Sequence, residues 1–122
     1  MKLLYVEDEA DIREVAEFAL EGEGFDIVFC EDGEVALEKA GDFQPDVILL
    51  DVMMPGMDGP TTLKNLRGMP GLEATPVIFL TAKVQPNEIQ AFIELGAIDV
   101  IPKPFDPMAL ADQVRDILER NP

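Results

Sequence analysis

The sequence contains no histidine, no serine and no tryptophan, and its only cysteine is Cys30. Without histidine or serine the chain cannot build a Ser-His-Asp or Cys-His nucleophilic site, and it cannot hold zinc through imidazole. A single cysteine also excludes a disulfide within the chain. Any chemistry must therefore depend on carboxylates, on amines and on the hydroxyl groups of threonine and tyrosine.

Positive charge is scarce as well. Nine lysines and arginines stand against 25 aspartates and glutamates, which gives a formal net charge of −16. Such a charge repels polyanions, so it predicts no direct nucleic acid binding and no association with a membrane surface. No apolar run approaches the roughly 18 residues of a membrane span, and the apolar start stops at Glu7, too early for a signal sequence. Together with the unpaired Cys30, these features indicate a cytoplasmic protein.

The 122 residues have a mass of 13.4 kDa, which is the size of one domain. We therefore predict a single domain over residues 1–122, with no output domain in this chain. Five short aliphatic runs without polar alternation are typical of strands covered on both faces. These runs are Leu3–Val6, Ile27–Cys30, Val47–Leu50, Val77–Leu80 and Val100–Ile101.

Helical periodicity fills the segments between and after these runs, so the predicted order is (βα)5. Alternating strands and helices with short connections predict an α/β fold, doubly wound, with a five-stranded parallel sheet and helices on both faces. Pro86 is predicted to open the fourth helix, and Asp106 followed by Pro107 is predicted to begin the fifth.

Acidic residues follow two of the predicted strands. Glu7 and Asp8 come after the first strand, and Asp51 comes after the third. Ligands of open parallel sheets bind beyond the carboxyl ends of the strands. If these two strands are neighbours, three carboxylates meet there, and two carboxylates about 4 Å apart repel by about 4 kcal/mol at an effective dielectric near 20. The cluster therefore needs a positive partner.

Two partners are available for this cluster. Oxygen ligands of this kind suit Mg²⁺, and Lys103 follows the fifth predicted strand. Thr81 ends the fourth strand and adds a hydroxyl group to the same edge. A carboxylate nucleophile beside a metal ion and a lysine suits phosphoryl transfer.

Five motifs in order along nearly the whole chain give a specific resemblance. They are Glu7-Asp8-Glu9, Leu49 to Gly59 around Asp51, Leu80-Thr81-Ala82, Gly96-Ala97 and Lys103-Pro104-Phe105. With these motifs the sequence resembles the receiver domain of bacterial two-component response regulators. The resemblance implies the flavodoxin-like strand order 2-1-3-4-5.

The resemblance also implies a function as phosphoacceptor. Asp51 would take a phosphoryl group from the phosphohistidine of a sensor histidine kinase or phosphotransfer protein, Lys103 would contact that group, and Thr81 would act as the switch. The implied Mg²⁺ ligands are Glu7, Asp8, Asp51 and the backbone carbonyl of Met53. Such a domain is not an enzyme beyond its own phosphorylation and dephosphorylation. Its altered surface would act on an unknown output partner, and a homodimer formed on phosphorylation is a further expectation.

Two positions differ from the pattern of this family. Val100 stands where the family normally has a tyrosine or phenylalanine, so the readout of phosphorylation is open. Pro102 has no N–H group and predicts that the fifth strand lies at the sheet edge. A haloacid-dehalogenase-type phosphatase would need an aspartate two residues after the nucleophile, where this chain has Met53. A receiver-like docking module that is not phosphorylated remains the alternative.

Overall fold

The computed structural model describes all residues from Met1 to Pro122. Strands and helices alternate as predicted, and the α/β prediction is confirmed. The strands are β1 (Lys2–Val6), β2 (Asp26–Cys30), β3 (Val47–Asp51), β4 (Val77–Thr81) and β5 (Asp99–Pro102). The helices are α1 (Ala10–Leu20), α2 (Gly33–Phe43), α3 (Gly59–Arg67), α4 (Pro86–Glu94) and α5 (Leu110–Arg120). None of the five has both the length and the apolar character needed to cross a bilayer.

All strand pairs in the sheet are parallel, and the strand order is β2-β1-β3-β4-β5. This confirms the order 2-1-3-4-5. The register places Val6 beside Leu50, so β1 and β3 are neighbours that end at the same level. β5 lies at the edge of the sheet, where Pro102 leaves no sheet hydrogen bond unmade.

The sheet is covered on both faces, which explains why its central strands are apolar without alternation. Every residue of β3 and β4 is buried. Alternate residues face α2, α3 and α4 on one side, namely Leu4, Val6, Ile48, Leu50, Val77 and Phe79. The intervening residues Leu3, Tyr5, Val47, Leu49, Ile78 and Leu80 face α1 and α5. Each fully buried aliphatic side chain contributes about 2 kcal/mol of transfer free energy.

Side-chain caps fix the start of two helices. The carboxylate of Asp32 accepts a hydrogen bond from the Val35 N–H group at 2.8 Å, and that of Asp58 accepts one from Thr61 at 2.9 Å. The predicted start of α5 at Asp106 is wrong. The Asp106 carboxylate caps a separate turn by accepting from the Met108 N–H group at 2.9 Å, and the helix begins later, at Leu110. An aspartate before a proline initiates a turn as readily as a helix.

Candidate functional site

The carboxyl ends of β1 and β3 bring three acidic side chains together. Carboxylate oxygens of Glu7, Asp8 and Asp51 lie within 4.8 Å of one another. Glu7 is fully buried and Asp51 is 3% exposed, whereas Asp8 is half-buried. The predicted meeting of these carboxylates is therefore observed, because the two strands that carry them are neighbours.

Lys103 joins two of these acids from the loop after β5. Its Nζ atom lies 3.1 Å from Glu7 Oε1 and 3.1 Å from Asp51 Oδ1. The Lys103 N–H group donates to the Thr81 carbonyl at 3.0 Å, which extends the pairing of β4 and β5 by one residue. The peptide bond between Lys103 and Pro104 is cis. Lys103 is thus held at the strand ends by its backbone as well as by its ammonium group.

The electrostatics of this cluster favour a further positive charge. Burial raises the pKa of Glu7 to about 7, repulsion by Asp51 adds to the rise, and Lys103 opposes it. Burial also raises the pKa of Asp51, against the hydrogen bond and charge of Lys103. The pKa of Lys103 is raised in turn: burial lowers it, but the hydrogen bonds to the two acids outweigh burial. When all three carboxylates are ionised, the one ammonium group leaves two negative charges uncompensated.

These residues fit a divalent cation. The ligand atoms are carboxylate oxygens, which hard cations such as Mg²⁺ prefer, and the uncompensated charge matches that of the ion. The Met53 side chain is 68% exposed in the loop after β3, and its backbone carbonyl oxygen accepts no hydrogen bond. That oxygen is therefore free to serve as a ligand.

Close packing holds this loop against the end of β3. The Gly59 N–H group donates to the Val52 carbonyl at 2.9 Å, and Val52 donates to Leu80 at 3.2 Å. A Cβ atom at position 59 would lie 2.5 Å from the backbone oxygen of Asp51. Only glycine lets the start of α3 approach Asp51 this closely.

Thr81 lies at the end of β4, beside the strand that carries Asp51. Its side chain is buried, and its hydroxyl oxygen accepts a hydrogen bond from the Lys83 N–H group at 3.0 Å. The structure shows no hydrogen bond between this hydroxyl and the acidic cluster or Lys103. Of the five side chains predicted to share the site, the structure joins Glu7, Asp8, Asp51 and Lys103 and leaves Thr81 at its border.

Val100 lies in the core, without an aromatic ring. It pairs in register with Phe79, whose ring lies 5.2 Å from that of Phe92 in α4. Helix α4 has no buried residue. Position 100 therefore has no large side chain that could change rotamer. Each of the other four helices has buried residues, so α4 is the helix that burial holds least firmly.

Arg13 is a contact of the site that the sequence patterns did not predict. Its Nη1 atom donates to the backbone carbonyl of Glu7 at 2.7 Å, so it fixes the end of β1 from the first turns of α1. Arg13 is the only basic residue of α1, and this isolated charge was the available signal.

Comparisons with known proteins point to one family. Residues 3–115 match the response regulator receiver domain. The response regulator MtrA of Mycobacterium tuberculosis is 40% identical over 120 residues, which are 98% of this chain and 51% of that protein. The regulatory protein PhoP of Bacillus subtilis is 40% identical over 98% of this chain and 49% of its own length. The chain spans about half the length of the curated relatives it matches.

Solved structures agree. The chemotaxis response regulator CheY4 of Vibrio cholerae has a TM-score of 0.88 and 33% identity, over 95% of this chain and 97% of that chain. The receiver domain of the Francisella response regulator 1452 has a TM-score of 0.86 and 31% identity, over 99% and 98% of the two chains.

One prediction from the sequence is wrong in the light of these relatives. The net charge predicts no direct nucleic acid binding, but MtrA is named a DNA-binding response regulator. The net charge of −16 counts only the residues of this chain, and this chain covers about half the length of MtrA and of PhoP. The charge of this segment therefore does not exclude nucleic acid as a partner.

Proposed function

The chain belongs to the family of response regulator receiver domains, and from this premise we propose that Asp51 accepts a phosphoryl group from a phosphohistidine. The donor is a sensor histidine kinase or a phosphotransfer protein. The observation that carries this proposal is the placement of Asp51, a buried carboxylate at a strand end, 3.1 Å from the Lys103 ammonium group and beside two further carboxylates. The absence of histidine from the chain agrees with it, because the partner supplies the imidazole.

In the proposed reaction, a carboxylate oxygen of Asp51 forms a bond to phosphorus as the bond from phosphorus to the donor nitrogen breaks. The leaving imidazole takes up a proton. Lys103 lies where it can neutralise charge on the transferred group. Met53 stands where a phosphatase of the haloacid-dehalogenase type would carry a general acid, so the domain catalyses at most its own phosphorylation and dephosphorylation.

Mg²⁺ is the proposed cofactor. Its ligands would be Glu7, Asp8, Asp51 and the backbone carbonyl of Met53. When bound, it would supply positive charge to the phosphoryl oxygens. Support comes from the oxygen ligand set, from the two uncompensated charges and from the free carbonyl of Met53.

An apolar cleft beside Lys103 supports docking of the phosphodonor. It has a volume of about 180 Å³ and lies between α1 and the loop after β5. Ile12, Val15 and Phe105 line it, and Val15 is 43% exposed. Because the cleft includes Lys103, a protein seated there would have its donor group near Asp51. We propose this cleft, the α1–β5 cleft, as the contact for the kinase.

The rest of the proposal concerns the setting of the domain. Residues 1–122 would form one receiver domain, and the unpaired Cys30 supports a cytoplasmic location. MtrA is named a DNA-binding response regulator and PhoP a transcriptional regulatory protein, which supports a DNA-binding unit as the output that the phosphorylated domain controls. A homodimer formed on phosphorylation is part of the same proposal.

Intact mass after incubation with acetyl phosphate and Mg²⁺ tests the proposed function. We expect one added phosphoryl group in the wild type and in Asp42→Asn, an exposed control on α2. Asp51→Asn should gain none. Undiminished labelling of Asp51→Asn would refute the assignment of the acceptor. A folded wild type that gains no phosphoryl group would favour the docking module instead.

A further inference from the structure

A groove between α1 and the edge strand β2 combines aromatic side chains with glutamates. It has a volume of about 500 Å³. Its lining includes Phe18, Phe25, Phe29, Glu14, Glu17 and Glu21. We propose that this α1–β2 groove docks a cationic segment of another protein, in which arginine or lysine side chains flank an apolar anchor.

The groove follows from the sequence of α1 and β2. Glu14 and Glu17 in α1 and Glu21 at its C-cap are spaced by three and four residues, so they lie along one flank of the helix. Phe29 in β2 and Phe25, directly before the strand, are four residues apart and therefore lie on the same side, which faces α1. β2 pairs with β1 only, so its outer side is open. An acidic wall therefore stands beside an aromatic floor.

The apolar part of the groove is accessible. Phe18 is 70% exposed at its mouth, and Phe25 and Phe29 are half-buried. A buried phenylalanine gains about 2 to 3 kcal/mol relative to an exposed one, so covering Phe18 would favour association.

The three glutamates of the groove have no partner in the chain. None of the salt bridges of the structure includes Glu14, Glu17 or Glu21. Two basic side chains contact the aromatic floor instead: Arg115 lies over the ring of Phe25, and Lys39 donates to the Phe29 carbonyl at 3.4 Å. The acidic wall of the groove therefore presents negative charge to a partner.

Arg115 shows which ligand chemistry this surface accepts. Its guanidinium group lies 5.3 Å from the centroid of the Phe25 ring, and its Nη1 atom lies 3.1 Å from Glu23 Oε1. Beside the groove a guanidinium group is thus held by a phenyl ring and by the carboxylates of Glu23 and Asp112, a favourable arrangement for an arginine. Phe18 and Phe29 beside the three glutamates offer the same pair of groups to an arginine of a partner.

Charge decides between the candidate occupants. A second copy of this chain would bring its own three glutamates to the same place, and like charges across an interface are unfavourable. A neutral apolar segment would leave these carboxylates partly dehydrated and without a partner. A cationic segment with an apolar anchor would pair with the glutamates of the acidic wall and cover the phenylalanines of the aromatic floor. The α1–β2 groove also lies on the other flank of α1 from the α1–β5 cleft, so both surfaces can be occupied at once.

The test is a titration of the isotope-labelled chain with the peptide acetyl-Leu-Arg-Phe-Arg-Leu-amide, followed by amide chemical shifts. We expect saturable shifts in residues 14–21 and 25–29. Glu14→Gln/Glu17→Gln should weaken binding about fivefold, the size expected for two exposed ion pairs. The matched control is Glu38→Gln/Glu119→Gln, which removes two exposed helical charges elsewhere and should leave the affinity unchanged.

Three outcomes would overturn the proposal. They are shifts spread over the whole acidic surface, equal weakening by both double variants, and equal binding of a peptide with citrulline in place of arginine. Each would show that general attraction to a polyanion, and not the groove, binds the peptide. The proposal is independent of phosphorylation. Asp51→Asn should bind the peptide as the wild type does, and Glu14→Gln/Glu17→Gln should still be labelled by acetyl phosphate.

Discussion

Glu7→Gln is expected to stabilise the metal-free protein at alkaline pH. Glu7 has a pKa of about 7 in the folded protein against an ordinary value of 4.5, because burial and Asp51 disfavour its charge. A carboxyl group with a raised folded pKa binds its proton more tightly in the folded state than in the unfolded state. Its contribution to stability is therefore greatest below pH 4.5 and is lost as the pH rises to about 7.

The size of this effect follows from the two pKa values. The difference between 4.5 and about 7 corresponds to roughly 3 kcal/mol, at about 1.4 kcal/mol for each tenfold change in proton affinity. Glutamine has no charge and keeps one acceptor oxygen for Lys103, but its NH2 group cannot accept the hydrogen bond that Glu7 Oε2 accepts from the Glu9 N–H group at 3.3 Å. The lost hydrogen bond costs about 1 kcal/mol, so Glu7→Gln should recover roughly 2 kcal/mol, or about 7 °C in Tm for a domain of this size.

Thermal unfolding followed by circular dichroism in EDTA measures this effect, at about pH 5 and about pH 8.5. We expect Glu7→Gln to exceed the wild type in Tm at the higher pH and to gain much less at the lower one. Glu38→Gln, which removes an exposed charge from α2, is the control and should change little at either pH. The reasoning fails if Glu7→Gln is no more stable than the wild type near pH 8.5, or if Glu38→Gln gains as much.

Three further predictions concern the same site. Asp8→Ala should raise the Tm in EDTA by relieving repulsion but lose the stabilisation that millimolar Mg²⁺ gives the wild type by mass action; a wild-type Tm that does not respond to Mg²⁺ would contradict the metal site. Lys103→Met should cost about 3 kcal/mol in urea unfolding near pH 8.5 and less near pH 5, because two buried carboxylates lose their partner; an equal loss at both values would count against this account. Thr81→Ala should leave Asp51 phosphorylation nearly intact but reduce the amide shifts that beryllofluoride causes over Ala82 to Leu95. Val100 has no ring to transmit the change, so we expect the signal to pass from Thr81 through the loop after β4 into α4. Shifts confined to Asp51 and its loop in both proteins would show that no such switch exists.

The elements of the fold were predictable because their signals are local. Uninterrupted aliphatic runs such as Val47–Leu50 indicate doubly covered strands whatever lies around them, and the observed strands differ from these runs by one residue or two. The order of the strands in the sheet was not predictable from local signals. The periodicity predicted a parallel sheet, but the order came from the family resemblance, since pairing joins residues far apart in the chain. Asp106 shows the limit of local signals, because its capping contact formed in a turn and not at a helix start.

The sequence by itself determined which groups could carry chemistry. A chain without histidine or serine that places Glu7, Asp8 and Asp51 after strands has carboxylates as its candidate nucleophile and metal ligands. Only the tertiary structure decided how these groups interact. The 3.1 Å contacts of Lys103 and the raised pKa of Glu7 depend on burial and on distances between elements remote in sequence. The α1–β2 groove has the same origin, because packing of α1 beside an open sheet edge brings its glutamates and phenylalanines together.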